Sequence, residues 1–224
     1  MIGDLAHVCN RGVEKRKIFL SEADYFRFVM NLLCLNNKGG KIRIRKGNPL
    51  EDINEILSGR EKLVEILKWS LLPNHYHLLL YEFSEGGIIE FTKRLGNAYT
   101  KYFNTKNTGR KGYLFQNSAK IIPIENNSQF LYIPVYVDLN CSDLKFPDWK
   151  QKENNDAKKI LEFLKTYRWS SIRNYFGESE FDNVVNKDIF YELFDTDIKD
   201  YEEELLGFLK DPISQDWSLV DVAG

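Results

Sequence analysis

Pro73-Asn74-His75-Tyr76-His77-Leu78-Leu79-Leu80 decides how the rest of this 224-residue chain is read, because it sets two of the three histidines inside an apolar run. A strand projects alternate side chains to opposite faces, so His75 and His77 share one face, roughly 6–7 Å apart along the backbone. Such a pair suits a metal ion without completing a site, and two half-buried strand histidines bonded to backbone groups are the plain alternative. Residues 62–72 form an apolar run that turns through Pro73-Asn74 into this strand, which reads as a hairpin.

Outward from the hairpin, Leu5-Ala6-His7-Val8-Cys9 reads as a strand that ends in the turn Asn10-Arg11-Gly12. Ser21-Glu22-Ala23-Asp24 reads as a helix start, and Tyr25, Phe28, Val29, Leu32 and Leu33 recur at helical spacing for about four turns, up to a stop at Gly39-Gly40. Residues 38–60 look like an insertion, with a short helix over 50–57. Ile88, Phe91, Leu95, Ala98, Tyr99, Tyr102 and Phe103 mark another helix, and residues 119–124 a further strand. Asn126-Asn127-Ser128 can cap a helix reaching about residue 139, in which Pro134 should bend the axis or mark the first turn. Residues 154–165 and 186–210 read as helical, with Glu202-Glu203-Glu204 turned to solvent. This order predicts an α+β fold: a ferredoxin-like, split βαβ antiparallel sheet with helices on one face, plus a C-terminal helical acidic appendage.

The net charge of −2 hides a division along the chain. Residues 178–224 hold 14 acidic and 3 basic residues, which leaves 28 basic and 19 acidic residues, out of totals of 31 and 33, for residues 1–177. The reading is a basic polyanion-binding domain over 1–177 and an acidic extension over 178–224, although lysines and arginines also simply solvate helix faces. No long apolar run marks a membrane span and the N-terminus has no leader pattern, so the protein is expected in the cytoplasm. Cys9, Cys34 and Cys141 are widely spaced, which argues for reduced packing residues over disulfides or a cysteine-based zinc site.

Tyr136 and Asn140 lie four residues apart and share a helix face, where a helix under the histidine strand could bring them to a metal. A tyrosine and a polar residue one turn apart are also common on any amphipathic helix. Here the chain resembles a known family, the single-tyrosine transposases of the His-hydrophobic-His endonuclease superfamily, in particular the REP-associated branch. The stretches that carry the resemblance occur in family order: His7-Val8-Cys9-Asn10-Arg11-Gly12, Ile18-Phe19-Leu20 with Asp24-Tyr25-Phe26-Arg27-Phe28, and the His75–His77 strand. Next come Tyr99-Thr100-Lys101-Tyr102-Phe103-Asn104, Gly112-Tyr113-Leu114-Phe115-Gln116, the Tyr136-to-Asn140 segment and Tyr167-Arg168-Trp169-Ser170-Ser171. The chain departs from the family pattern at Asn140-Cys141-Ser142, where Asn-Pro-Val is usual, at the bulky Tyr76, and in a longer segment over residues 38–59.

The resemblance implies that His75 and His77 bind a divalent metal, Mg²⁺ or Mn²⁺, that Asn140 takes the third-ligand position, and that Tyr136 is the nucleophile. It implies metal-dependent nicking and rejoining of single-stranded or hairpin DNA through a 5′-phosphotyrosine, by a monomer or homodimer. Two other readings are a domesticated protein that binds DNA hairpins without breaking them, and a nuclease that uses metal-bound water. Tyr99 and Tyr102 belong to an apolar helix and suit a core, and Tyr132 has no amide four residues on. Arg11, Lys93, Arg94, Lys101, Arg110 and Lys111, interleaved with Tyr113 and other aromatics, are the expected DNA contacts, since cations track phosphates while rings stack on unpaired bases.

Overall fold

The hairpin forms, and the sheet is built around it. In the computed structural model, which describes residues 3–42, 57, 59–151, 156–177 and 179–212, four strands form one antiparallel sheet. They are β1 (Leu5–Arg11), β2 (Val64–Leu72), β3 (His75–Glu82) and β4 (Lys120–Pro123), in the order β2-β3-β1-β4. The helices are α1 (Glu22–Cys34), α2 (Gly87–Lys106), α3 (Asn127–Leu139), α4 (Ala157–Thr166), α5 (Ile172–Phe176), α6 (Lys187–Phe194) and α7 (Ile198–Lys210). The short helix expected over 50–57, and most of the expected insertion, lie outside the described residues. Among the described residues no helix is long and apolar enough to cross a membrane.

Strand alternation divides the core in two. Tyr76, Leu78 and Leu80 of β3 pack with Phe28, Val29 and Leu32 of α1 and with Phe91, Leu95 and Tyr99 of α2. Leu79 faces the other way and packs with Ile133, Tyr136 and Val137 of α3, and in the same layer lie Leu161 of α4, Phe190 of α6 and Tyr201 of α7. Helices therefore cover both faces, not one as expected, because the histidine face also carries apolar Leu67, Leu72 and Leu79 that must leave water. All nine residues of β2 are buried, as a strand covered on both faces requires.

Helix α3 is sandwiched between the sheet and the later helices of the chain. Its residues 133–139 are all buried, so it reads as apolar all round and not as a one-sided amphipathic helix. Asn126 caps it by accepting from the Gln129 N–H, and the helix continues past Pro134, which sits inside it and not in its first turn. At α1 the expected start holds: Ser21 and Asp24 form a reciprocal capping box. Its end comes at Cys34, before the Gly39-Gly40 stop, because Asn36 is diverted to bond the backbone of Leu63 and Val64 at the head of β2. The stretch 186–210 is two helices, broken where Asp195 takes φ 45° and Asp197 caps the next start. Of the three glutamates expected in solvent, Glu203 is exposed, Glu202 pairs with Lys165 at 2.6 Å, and burial raises the Glu204 carboxyl above its ordinary value.

Candidate active site and metal-binding group

His75 and His77 leave β3 on one face, and cross-strand pairing adds a third histidine to them. Cys9 stands opposite His77 and His7 opposite Leu79, so alternation puts His7 and Cys9 on the same face of the neighbouring strand. His7 Nε2 lies 2.9 Å from His77 Nδ1 with the two rings only 10° from parallel, and the His75 and His77 ring centroids are 5.0 Å apart. His7, Cys9 and His77 bring ligand-type atoms within 4.8 Å of one another, and this buried group could hold a metal ion. From sequence alone His7 has no assigned role and Cys9 is a packing residue. The available signal is that His7-Val8-Cys9 repeats, on its own strand, the two-residue alternation of His75-Tyr76-His77.

Tyr136 and Asn140 arrive from the last turn of α3, where the Asn140 N–H donates to the Tyr136 carbonyl. The Tyr136 ring stands edge-on to His77, at 5.4 Å and 89°, and to His7, at 5.8 Å and 82°. The Asn140 side chain hydrogen-bonds the His75 ring, while its Nδ2 is buried without a partner among the described residues. Four residues singled out by sequence, His75, His77, Tyr136 and Asn140, thus meet on one sheet face, and all are buried. The competing tyrosines have other duties. Tyr99 donates to the Ile18 carbonyl, Tyr102 to Asp24, and Tyr132 packs on Phe208.

Burial sets the electrostatics. It holds His7 down to about 3, with the Lys120 charge adding, and His75 down to about 4, where Arg11 and Lys150 add and the Asn140 bond opposes. His77 is pushed well below its ordinary value by burial and by the neighbouring histidines and cations. All three imidazoles are therefore neutral at pH 7, the form in which a ring nitrogen binds a metal. Burial also raises the Cys9 thiol to about 11, so without a metal it stays protonated. Lys150 lies 5.5 Å over the Tyr136 ring, a cation that sequence alone does not place at the site.

The hydrogen bonds limit which nitrogens are offered. Asn74 Nδ2 donates to the Lys15 carbonyl at 3.2 Å, so its Oδ1 is turned to accept the His75 Nδ1 proton at 2.7 Å. Glu14 and Lys15 reach this arrangement with φ of 55° and 56°, a conformation L residues rarely adopt. Gly12 is required beside it: its N–H donates to the Asn74 carbonyl, and a Cβ there would lie 2.3 Å from the Arg16 carbonyl oxygen. A shared proton on His77 Nδ1, donated to His7 Nε2, leaves His77 Nε2 as a lone pair, and the reverse tautomer leaves His7 Nδ1 as one. His77 Nε2 and His7 Nδ1 are both buried without partners among the described residues. The partnerless histidine nitrogens, with the Cys9 thiol beside them, are donors of the kind that hold a divalent cation.

No family model matches the chain, and no curated protein matches it. A solved structure described as "the REP associates tyrosine transposase bound to a REP hairpin" aligns with 78% of this chain and 79% of that chain, at 12% identity and a TM-score of 0.41. So distant a likeness carries no argument about function, which rests on the residues of the site.

The expected DNA contacts lie in different settings. Arg11 is at the site itself, where its charge depresses His75 and His77. Lys93 and the 88%-exposed Tyr113 line a groove of about 660 Å³ between α2 and the segment before β4, together with Asn10, Asn97, Thr100 and Gln116. Lys101 and Lys111 are exposed, whereas Arg110 donates to the Tyr113 carbonyl and lies over Phe103. Arg94 is occupied within the fold, bonded to Glu90 at 2.6 Å and to the Asn37 carbonyl at 2.7 Å. Phe115 is a core residue against Tyr76 and Tyr99.

Proposed function

We propose that this protein is a single-tyrosine DNA strand transferase of the His-hydrophobic-His type, acting on single-stranded or hairpin DNA through residues 1–177. In this reading the sheet is the split βαβ of a ferredoxin-like fold, and residues 178–224 are an extension whose helix α7 buttresses α3. The observation that carries the proposal is the meeting of Tyr136 and Asn140 with His75 and His77 on one face, beside buried nitrogens that lack partners among the described residues.

A divalent ion, Mg²⁺ or Mn²⁺, held by His75, His77 and Asn140 would supply charge to a non-bridging phosphate oxygen and so make the phosphorus electrophilic. In this reading His75 and His77 donate from Nδ1 to Asn74 and His7, which orients both rings. Tyr136 Oη attacks the phosphorus and its O–P bond forms as the bond from phosphorus to the 3′ oxygen breaks. The 3′ oxygen leaves as a hydroxyl, with a proton that replaces the one lost from tyrosine. Bond energy is kept in the 5′-phosphotyrosine, so a 3′ hydroxyl at a new junction can reverse the step without ATP. Arg11 and Lys150 place two positive charges beside the attacked group. Tyr136 is 2% exposed, so its hydroxyl must be uncovered for a strand to reach it.

The test is incubation of the protein with Mn²⁺ and labelled hairpin DNA drawn from the sequence flanking its gene, beside Tyr136→Phe. A denaturation-resistant protein–DNA adduct formed by the native protein alone is expected. Cleavage by both proteins without an adduct would replace the proposal with a nuclease that uses water, and tight binding without cleavage would leave a hairpin-binding protein.

A further inference from the structure

On the same sheet face lies a second polar cluster that the strand-transfer chemistry does not use. Lys68 of β2 and Asp138 of α3 form an ion pair at 2.8 Å, with both side chains 0% exposed. The Lys68 ammonium is boxed by three rings, 3.5 Å from the centre of Tyr175, 4.0 Å from Tyr201 and 4.2 Å from Phe190. Tyr201 also donates its hydroxyl to the Asp138 oxygen that holds Lys68, at 2.8 Å. Ser171, fixed by the Trp69 N–H, reaches the other oxygen at 3.4 Å. Phe190 and Tyr201 come from α6 and α7, in the acidic stretch after residue 177.

Asp138 sits between Tyr136 and Asn140. Two residues advance a helix by about 200°, so Asp138 leaves α3 on the side away from those two. The helix is therefore held on opposite flanks: against the histidines by Tyr136 and Asn140, and against β2 by Asp138. Turning α3 so that Tyr136 left His77 would pull Asp138 out of its pair. A buried ion pair is a poor source of net stability, since apolar groups of similar shape often do as well, but it tolerates no shift in position once both charges are out of water. From this geometry we infer that Tyr201 and Phe190 are positioning residues for the tyrosine chemistry: they clamp Lys68 onto Asp138 and so fix the rotation of the helix that presents Tyr136 and Asn140. The inference rests on the proposed role of Tyr136 for its chemical consequence, but the clamp itself is a statement about α3 alone.

Tyr201→Phe in the full chain removes one hydroxyl and keeps the ring against Lys68. Two readouts are needed. Under single-turnover conditions with Mn²⁺ and labelled hairpin DNA, adduct formation should slow by about tenfold while the hairpin Kd changes by less than about twofold, because the hydroxyl touches neither DNA nor metal. In the metal-free protein, the amides of residues 137–140 should exchange with solvent about tenfold faster while those of β1 and β3 stay as they were. An unchanged adduct rate overturns the inference, and so does faster exchange spread evenly over helix and sheet, which would mean a general loss of stability. If the native protein forms no adduct at all, the tyrosine chemistry fails, and the exchange pattern alone decides whether the clamp exists.

Discussion

The Lys68–Asp138 pair and the histidine group are covered by the same helix on the same face of one sheet, yet their hydrogen bonding is finished differently. Around Lys68 each charged atom has a partner: the ammonium has a carboxylate and three rings, and the carboxylate has Tyr201 and Ser171. Around the histidines, His7 Nδ1, His77 Nε2 and Asn140 Nδ2 are buried with no partner among the described residues. Each buried polar group left unmet costs about 1–3 kcal/mol. Buried atoms without a partner among the described residues also occur elsewhere, at Trp69 Nε1, Ser70 Oγ and Tyr76 Oη, but at the histidines they are ring nitrogens beside a thiol, a group that could hold a metal ion. The difference teaches that neither burial nor a missing partner identifies a site without the chemistry of the atoms concerned.

The comparison breaks most visibly at the closed cluster. Lys68→Ala strands the Asp138 carboxylate out of water and should cost about 3–5 kcal/mol in urea unfolding, while the paired change of Lys68→Met with Asp138→Leu should recover most of that loss. A single variant as stable as the native protein would mean that water reaches Asp138 and the cluster is not closed. At the open cluster a smaller effect is expected. His7→Phe keeps a ring but removes the acceptor for His77 Nδ1, and should weaken Mn²⁺ binding by calorimetry about 10–100-fold, with His7→Gln restoring part of it. Unchanged affinity would deny His7 its orienting role. Cobalt-loaded protein sharpens the same point, since a thiolate charge-transfer band that Cys9→Ser removes would put the ion on His7, Cys9 and His77 instead.

Acid should separate the clusters more gently. In metal-free protein His7 is held down to about 3 and His75 to about 4, against an ordinary value of 6.5, so below that value the unfolded chain binds protons that the folded one refuses. Stability is then full above pH 6.5 and falls as pH drops toward 4, by about 1.4 kcal/mol per pH unit for each histidine that stays neutral. Urea midpoints measured from pH 7 to pH 5 should decline, and His7→Phe should flatten the decline; a flat native profile would mean that these rings are already charged or already wet.

Much of the sheet could be read from local pattern, because its signals are local: the turn at Pro73-Asn74, the capping box of Ser21 and Asp24, and the alternation through His75 and His77. The Tyr136–Asn140 turn was legible for the same reason. What escaped the sequence depends on pairing between distant segments. His7 joins the site only because β1 lies beside β3, and its partner is 70 residues away. How completely the histidine face is covered is not legible, because α3 and β2 are buried all round and such elements carry no amphipathic direction. Asn36, a polar residue just past α1, ended that helix early through bonds to β2 that no local rule supplies.

The strand order has a consequence for biosynthesis. β1, with His7, is made before its neighbours in the sheet, β3 and β4, and Tyr136 arrives only with α3. The clamp closes later still, since Tyr201 is made 63 residues after Asp138. Long-range pairing of this kind forms late, after the intervening chain has been synthesised and ordered. A nascent or clipped chain ending at β3 carries the histidines without Tyr136 and Asn140, so the four side chains come together only after α3 has been made and has packed on the sheet.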